Sequence, residues 1–127
     1  MAMKFHREAA SEFAITAYTS GSISVNGVEF RDSVRVKHDA VPSAWPVSAF
    51  DQIDASAIAA AALPGTEIVI LGTGKRLRFP PPAALRPLID ARIGYEVMDT
   101  AAASRTYNVL LSEGRQVAAL LLLEAAN

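Results

Sequence analysis

Seven consecutive apolar residues, Val117 to Leu123, end the last patterned stretch of the chain. The run is far short of the ~20 residues that a membrane-spanning helix needs. A strand that is apolar on both faces must instead be covered on both faces. This segment, read as a strand over Gln116 to Glu124, therefore requires a sheet that is packed on its two sides. A chain of 127 residues can supply that cover, because it hides about two-thirds of its unfolded surface on folding.

The segments before this strand alternate in type. Ile68 to Leu71 is wholly apolar with two β-branched residues, long enough for a buried mid-sheet strand and too short for a helix. Tyr95 to Met98 is the next strand, and Asp99 is a natural N-cap for a helix over Thr100 to Ser112. In that helix Ala103, Thr106, Tyr107, Leu110 and Leu111 recur at core-facing spacing, with Arg105, Asn108 and Ser112 opposite. Between these two strands, Pro80-Pro81-Pro82 starts another helix that carries Leu85, Leu88, Ile89 and Ile93 inward and ends at Gly94. Leu77 to Phe79 forms a brief extended piece before it. The result is βαβαβ, which favours right-handed crossovers and a mixed, largely parallel sheet.

The first half reads as β structure. Ile23 and Val25 alternate with serines, Asn26-Gly27 follows, and Val28 and Phe30 flank Glu29. Asn-Gly between alternating runs is a strong hairpin signal, since a type I′ turn needs positive φ at both central residues. The chain is thus expected to open with this hairpin, and Ser33 to Val36 to continue it as a meander. Pro42 and Pro46 make Val41 to Pro46 an ordered loop, pinned by Trp45. Asp51 or Asp54 caps a short helix over roughly Ala55 to Ala62, ended by Pro64-Gly65.

Composition removes several function classes. Without cysteine there are no disulfides, thiolate metal sites or cysteine nucleophiles. Twelve Lys and Arg against thirteen Asp and Glu give a formal charge of −1, so no global field recruits nucleic acid. Met1 to Ala14 carries Lys4, His6, Arg7, Glu8 and Glu12 where a signal peptide would be apolar, so a cytoplasmic chain without membrane insertion is expected.

Two constellations remain. Parallel strands ending at Leu71 and Met98 would bring Gly72, Thr73, Gly74, Lys75 and Arg76 to one rim with Asp99 and Thr100, where open α/β sheets usually bind ligands. Gly72 to Arg92 holds five cations and one carboxylate, so glycines, cations and a helix N-terminus could together receive an anion. Against this, Asp99 would satisfy the helix donors itself, and the GTGK spacing is not that of a P-loop. The second constellation is a partner surface built from Arg105, Tyr107, Asn108, Glu113 and Arg115 with Trp45, where Glu113 and Arg115 could form an ion pair. His6 and His38, with Asp39, Ser33 and Ser43, match neither a nucleophile elbow nor a metal pair.

Gly72-Thr73-Gly74-Lys75, the block Val97-Met98-Asp99-Thr100-Ala101-Ala102-Ala103-Ser104-Arg105-Thr106-Tyr107-Asn108-Val109-Leu110 and Glu113-Gly114-Arg115 resemble one known family. It is the small Mth-type domain shared by mitochondrial complex I assembly factor three, the adipogenesis-associated Mth-domain protein and many prokaryotic proteins. Tyr18 to Ser33 and Val41 to Trp45 also fit, so the resemblance runs from about Ala14 to Leu123. It implies a single three-layer β+β/α domain over residues 1–127. It also implies an assembly or adaptor role, with no cofactor, no metal and no established enzymatic activity. Ser104 departs from the cysteine of many relatives, which removes any thiol-dependent role here.

The expected function is therefore a non-enzymatic interaction or assembly domain whose partner is a protein, with respiratory-complex subunits as the candidates. The alternative is a small-molecule or anion-binding protein or enzyme using the Gly72–Arg76 loop. A homodimer through an exposed apolar face is a third reading.

Overall fold

The computed structural model describes residues 13–61 and 63–124. His6 and most of the charged amino-terminal stretch lie outside the described residues. So does Ala62.

Two sheets form. The smaller is antiparallel, in the order β1 (Ile15–Thr19), β2 (Ser22–Val25), β3 (Val28–Phe30). β2 and β3 make the expected hairpin, and Asn26 and Gly27 take φ of 50° and 81°, as a type I′ turn demands. The hairpin does not open the fold, because β1 precedes it and pairs with β2.

The larger sheet has the order β5-β4-β8-β6-β7. Its strands are β4 (Val34–Lys37), β5 (Ala40–Ala44), β6 (Ile68–Gly72), β7 (Gly94–Met98) and β8 (Val117–Leu121). β6 pairs in parallel with both β7 and β8, while β4 pairs antiparallel with β8 and β5. Two expectations are corrected here. The strand after the hairpin leaves the meander, because Val34 and Val36 are fully buried by lying beside Leu121 and Ala119 of β8. The proline-containing loop is in part a strand, β5; Pro42 is tolerated because β5 lies at the sheet edge.

β8 is the centre of the molecule and alternates between two cores. Val117, Ala119 and Leu121 face Ile15, Ile23, Val25, Ala103 and Tyr107. Ala118, Leu120 and Leu122 face Trp45, Ile53, Ile58, Leu85 and Leu88. The small sheet and helix α3 (Thr100–Ser112) thus cover one face, and α1 (Ala55–Ala59) and α2 (Arg86–Asp90) cover the other. This is the three-layer α/β arrangement that the apolar run required.

Local chemistry sets the helices. Asp54, not Asp51, caps α1, its Oδ1 accepting from Ala57 N at 2.8 Å. Trp45 is buried and donates its indole N–H to Ala57 O at 3.0 Å, so it ties its loop to α1. The segment after the prolines begins as a 3-10 turn over Pro82–Leu85 before α2. That shift turns Ile89 outward, and Arg92, at φ 59°, takes the left-handed position expected of Gly94. Gly94 instead starts β7. No strand forms at Leu77 to Phe79, and both apolar side chains there are exposed. Among the described residues no helix is long and apolar enough to cross a membrane.

Candidate functional site

The parallel register brings the ends of β6, β7 and β8 to one rim, as the alternation of elements implied. There the seven rim residues do come together, and the Thr73, Gly74 and Thr100 amides are engaged within the chain. Thr73 N donates to Met98 O at 2.9 Å, Gly74 N to Thr100 Oγ1 at 2.8 Å and Thr100 N to Gly74 O at 2.9 Å. Asp99 Oδ1 accepts from Ala102 N at 2.8 Å, so the cap of α3 is filled by its own carboxylate. Thr100 Oγ1 donates onward to Leu122 O at 2.8 Å, which joins the ends of β6 and β8 to the start of α3 through one buried hydroxyl. Gly72 is required at this point: a Cβ there would meet Thr100 Oγ1 at 2.9 Å and Thr100 Cα at 3.0 Å.

An anion does sit at the rim, and it belongs to the chain. Glu124 Oε1 accepts from Lys75 N at 3.2 Å, and Oε2 accepts from Arg78 Nη2 at 2.7 Å. The same Arg78 nitrogen donates to Thr73 O at 2.8 Å, and the guanidinium lies 4.7 Å from the centroid of the Phe50 ring. The Arg78 hydrogen bond above all holds the Glu124 carboxyl below the usual carboxylate range. Lys75 and Arg76 keep exposed side chains. The other rim residues form a clasp whose N–H groups point inward, which weakens the expectation of a seat for an external anion.

The second constellation is redistributed. Trp45 and Tyr107 are 2% and 0% exposed, so neither offers a surface to a partner. Burial pushes the Tyr107 phenol well up, and its hydroxyl donates to Phe13 O at 3.0 Å. Arg115 pairs with Glu67 at 2.7 Å rather than with Glu113, because the turn after α3 aims it at the start of β6. Arg105 and Glu113 are exposed, and among the described residues Arg105 makes no ion pair.

Asn108 has a role that helical periodicity could not show. Its Oδ1 accepts from Ile15 N at 2.9 Å and its Nδ2 donates to Ile15 O at 2.6 Å. The side-chain amide thus pairs with the outer edge of β1 as a neighbouring strand would. Asn108→Ala leaves both groups of Ile15 without a protein partner, and we expect a loss of about 1–2 kcal/mol. Hydrogen exchange at the Ile15 amide should quicken more than at β8; an unchanged Ile15 rate would remove Asn108 as the tether.

Beyond this tether, β1 and α3 diverge into an open groove of about 250 Å³, lined by Ile15 to Tyr18 and by Ala101, Ser104, Arg105 and Asn108. Ser104 lies in its wall with its hydroxyl donating to Thr100 O at 2.9 Å. Tyr18, which the reading of the sequence did not single out, links groove and rim. Burial first, then the charges of Asp99 and Glu124, raise its phenol above the ordinary value. Asp99 at the rim and Ala101 in the groove wall stand two residues apart at the start of α3, so the groove lies beside the rim.

Among the described residues His38, Asp39, Ser33 and Ser43 do not converge on one site. Ser33 Oγ is committed to the backbone of Leu123, His38 Nε2 lies 3.5 Å from Asp39 Oδ2, and Ser43 is exposed on β5. Among the described residues no three of His, Asp and Glu group as metal ligands.

A family model described as a protein of unknown function (DUF498/DUF598) matches residues 15–122. The chain belongs to this family. A DUF498/DUF598 relative from Xenopus tropicalis, NADH dehydrogenase [ubiquinone] 1 alpha subcomplex assembly factor 3, is 31% identical over 124 residues, 94% of this chain and 66% of that protein. The chain spans just under two-thirds of the length of such assembly factors. An uncharacterised protein of Rhodobacter capsulatus is 33% identical over 114 residues, 89% of this chain and 86% of its own.

Among solved structures, a Bordetella parapertussis protein superposes with a TM-score of 0.84 at 39% identity, covering 91% of this chain and 99% of that one. A Bordetella pertussis protein described as a Mth938-like domain gives 0.82 at 33%, covering 98% and 95%. The DUF498/DUF598 family thus joins proteins named as assembly factors to a bacterial protein of uncharacterised role, on the Mth938-like fold.

Proposed function

We propose that this protein is a non-enzymatic interaction domain that assists assembly of a respiratory, complex I-like membrane complex, acting from the cytoplasm as one domain over its 127 residues. The observation that carries the reading is the 31% identity to an assembly factor across 94% of the chain. The rim supports it, since the Thr73, Gly74, Lys75 and Thr100 amides are engaged internally and the carboxylate there is that of Glu124. Lys75 and Arg76 at the rim and Arg105 on α3 keep exposed cationic side chains, and arginine is a residue type enriched where proteins meet.

Capture of the tagged protein from its native cells under gentle detergent, beside an Arg76→Ala/Arg105→Ala variant, tests this. Respiratory-complex subunits should co-purify with the parent chain and be lost from the variant. The melting temperature should barely move, because both side chains are exposed and substitutions of that kind usually change stability by no more than about 0.5 kcal/mol. Recovery of the protein alone would sink the assembly reading, and equal capture by both forms would exclude Arg76 and Arg105 as the contact.

A further inference from the structure

β1 is an edge strand, and its register determines which backbone groups face away from β2. Thr19 and Ser22 flank a two-residue loop, the place of a hydrogen-bonded pair. Tyr18 and Ile23 are then a non-hydrogen-bonded pair, so Tyr18 directs its N–H and C=O to the outer edge. The bulge between Ile15 and Ala17 shifts the alternation by one, which returns Ile15 to the same outward orientation. The Asn108 contacts agree, since they meet the N–H and C=O of Ile15 on that edge. At Tyr18 no described side chain does the same. Among the described residues the strand edge is therefore covered by α3 at one end and open at the other, beside the groove.

We propose that this open half-edge is a docking strip for an extended, acidic segment of a protein partner, which adds a strand to β1 at Tyr18 and sets a carboxylate against Arg105. The proposal rests on the reading of the chain as an interaction domain and names the form of its partner. A free edge is a template for another strand, and main-chain pairing supplies both the acceptor and the donor that Tyr18 lacks. The groove, at about 250 Å³, lies below the roughly 300–1,000 Å³ of small-molecule cavities, while an extended chain needs only a strip. Charge sets the partner's polarity. Arg105 stands in the wall, exposed and without an ion pair among the described residues. A carboxylate is favoured at Arg105.

The test is titration of the ¹⁵N-labelled protein with the peptide Ac-Thr-Val-Glu-Val-Thr-NH₂. Saturable shifts are expected at the Ala17 and Tyr18 amides and the Arg105 Nε, with exchange of the Tyr18 amide slowed. A peptide with Lys in place of Glu should bind about tenfold more weakly, and Arg105→Glu should reverse that preference. Methylating the peptide's central amide nitrogens should abolish binding if main-chain pairing carries it. No saturable shift with either peptide, or binding that survives methylation, overturns the strip. The assembly reading then still stands if native subunits co-purify, and falls on its own if they do not. Tyr18 protection that grows with protein concentration and no peptide would mean pairing of two copies, and would also overturn the proposal.

Discussion

Thr100→Val should cost about 3 kcal/mol and lower the melting temperature by roughly 10 °C, out of proportion to the loss of one hydroxyl. The hydroxyl is fully buried, accepts from Gly74 N and donates to Leu122 O, both at 2.8 Å. Valine keeps the shape and removes both bonds. The Gly74 N–H is then left in the interior without an acceptor, and an orphaned buried group costs about 1–3 kcal/mol. Gly72 leaves no room for the chain to adjust, since its backbone already lies against Thr100. Thr100→Ser is the control, because it keeps the hydroxyl and loses only a methyl group. It should recover most of the stability, by denaturant midpoint at unchanged slope. If serine and valine were equally destabilised, packing rather than hydrogen bonding would hold the rim.

What could be read in advance follows the physics of each signal. The strands Ile68–Leu71 and Val117–Leu123, the N-cap at Asp99 and the turn at Asn26-Gly27 were legible because each depends on its immediate neighbours. β1 was not, because Ile15 and Tyr18 are separated by a bulge that breaks the period of two. The departure of Val34 and Val36 to the larger sheet was not either, since it is decided by a partner some 85 residues away, β8.

The site shows the same division. The meeting of Gly72–Arg76 with Asp99 and Thr100 followed from parallel connectivity. That the Gly74 amide would be taken by the Thr100 hydroxyl and the Lys75 amide by Glu124 did not, because both depend on side-chain positions across the rim, one of them a single carboxylate just past an apolar run. Residue type suggests a partner surface for Tyr107 and Asn108, although helical spacing already puts Tyr107 on the core-facing stripe. The structure instead puts one in the core and the other on the backbone of β1. A helix wheel shows which side a residue faces, and not that a strand lies beside it.

Gly74→Ala is the second large effect, and it isolates the internal anion. Gly74 has φ 98°, and a Cβ there would run into the Glu124 carboxylate. We expect a loss of about 3 kcal/mol, part from the backbone conformation and part from displacing Glu124 from Lys75 N and Arg78. In a Glu124→Ala background the same substitution should cost about 1–2 kcal/mol, since only the backbone part remains. Additive costs would mean that Glu124 does not hold the loop. Acidity gives an independent reading. The Glu124 carboxyl is held below its ordinary range by Arg78, so the folded value lies below the unfolded one. Its contribution is then complete above the unfolded value and is lost as pH falls through the folded value. The difference in melting temperature between the parent chain and Glu124→Gln should be constant near neutrality and shrink in acid. Glu67 and Asp39, lowered by Arg115 and Lys37, titrate on the same side but are common to both proteins and cancel in that difference. A difference that stayed constant into acid would show that the charge of Glu124 adds nothing to the rim.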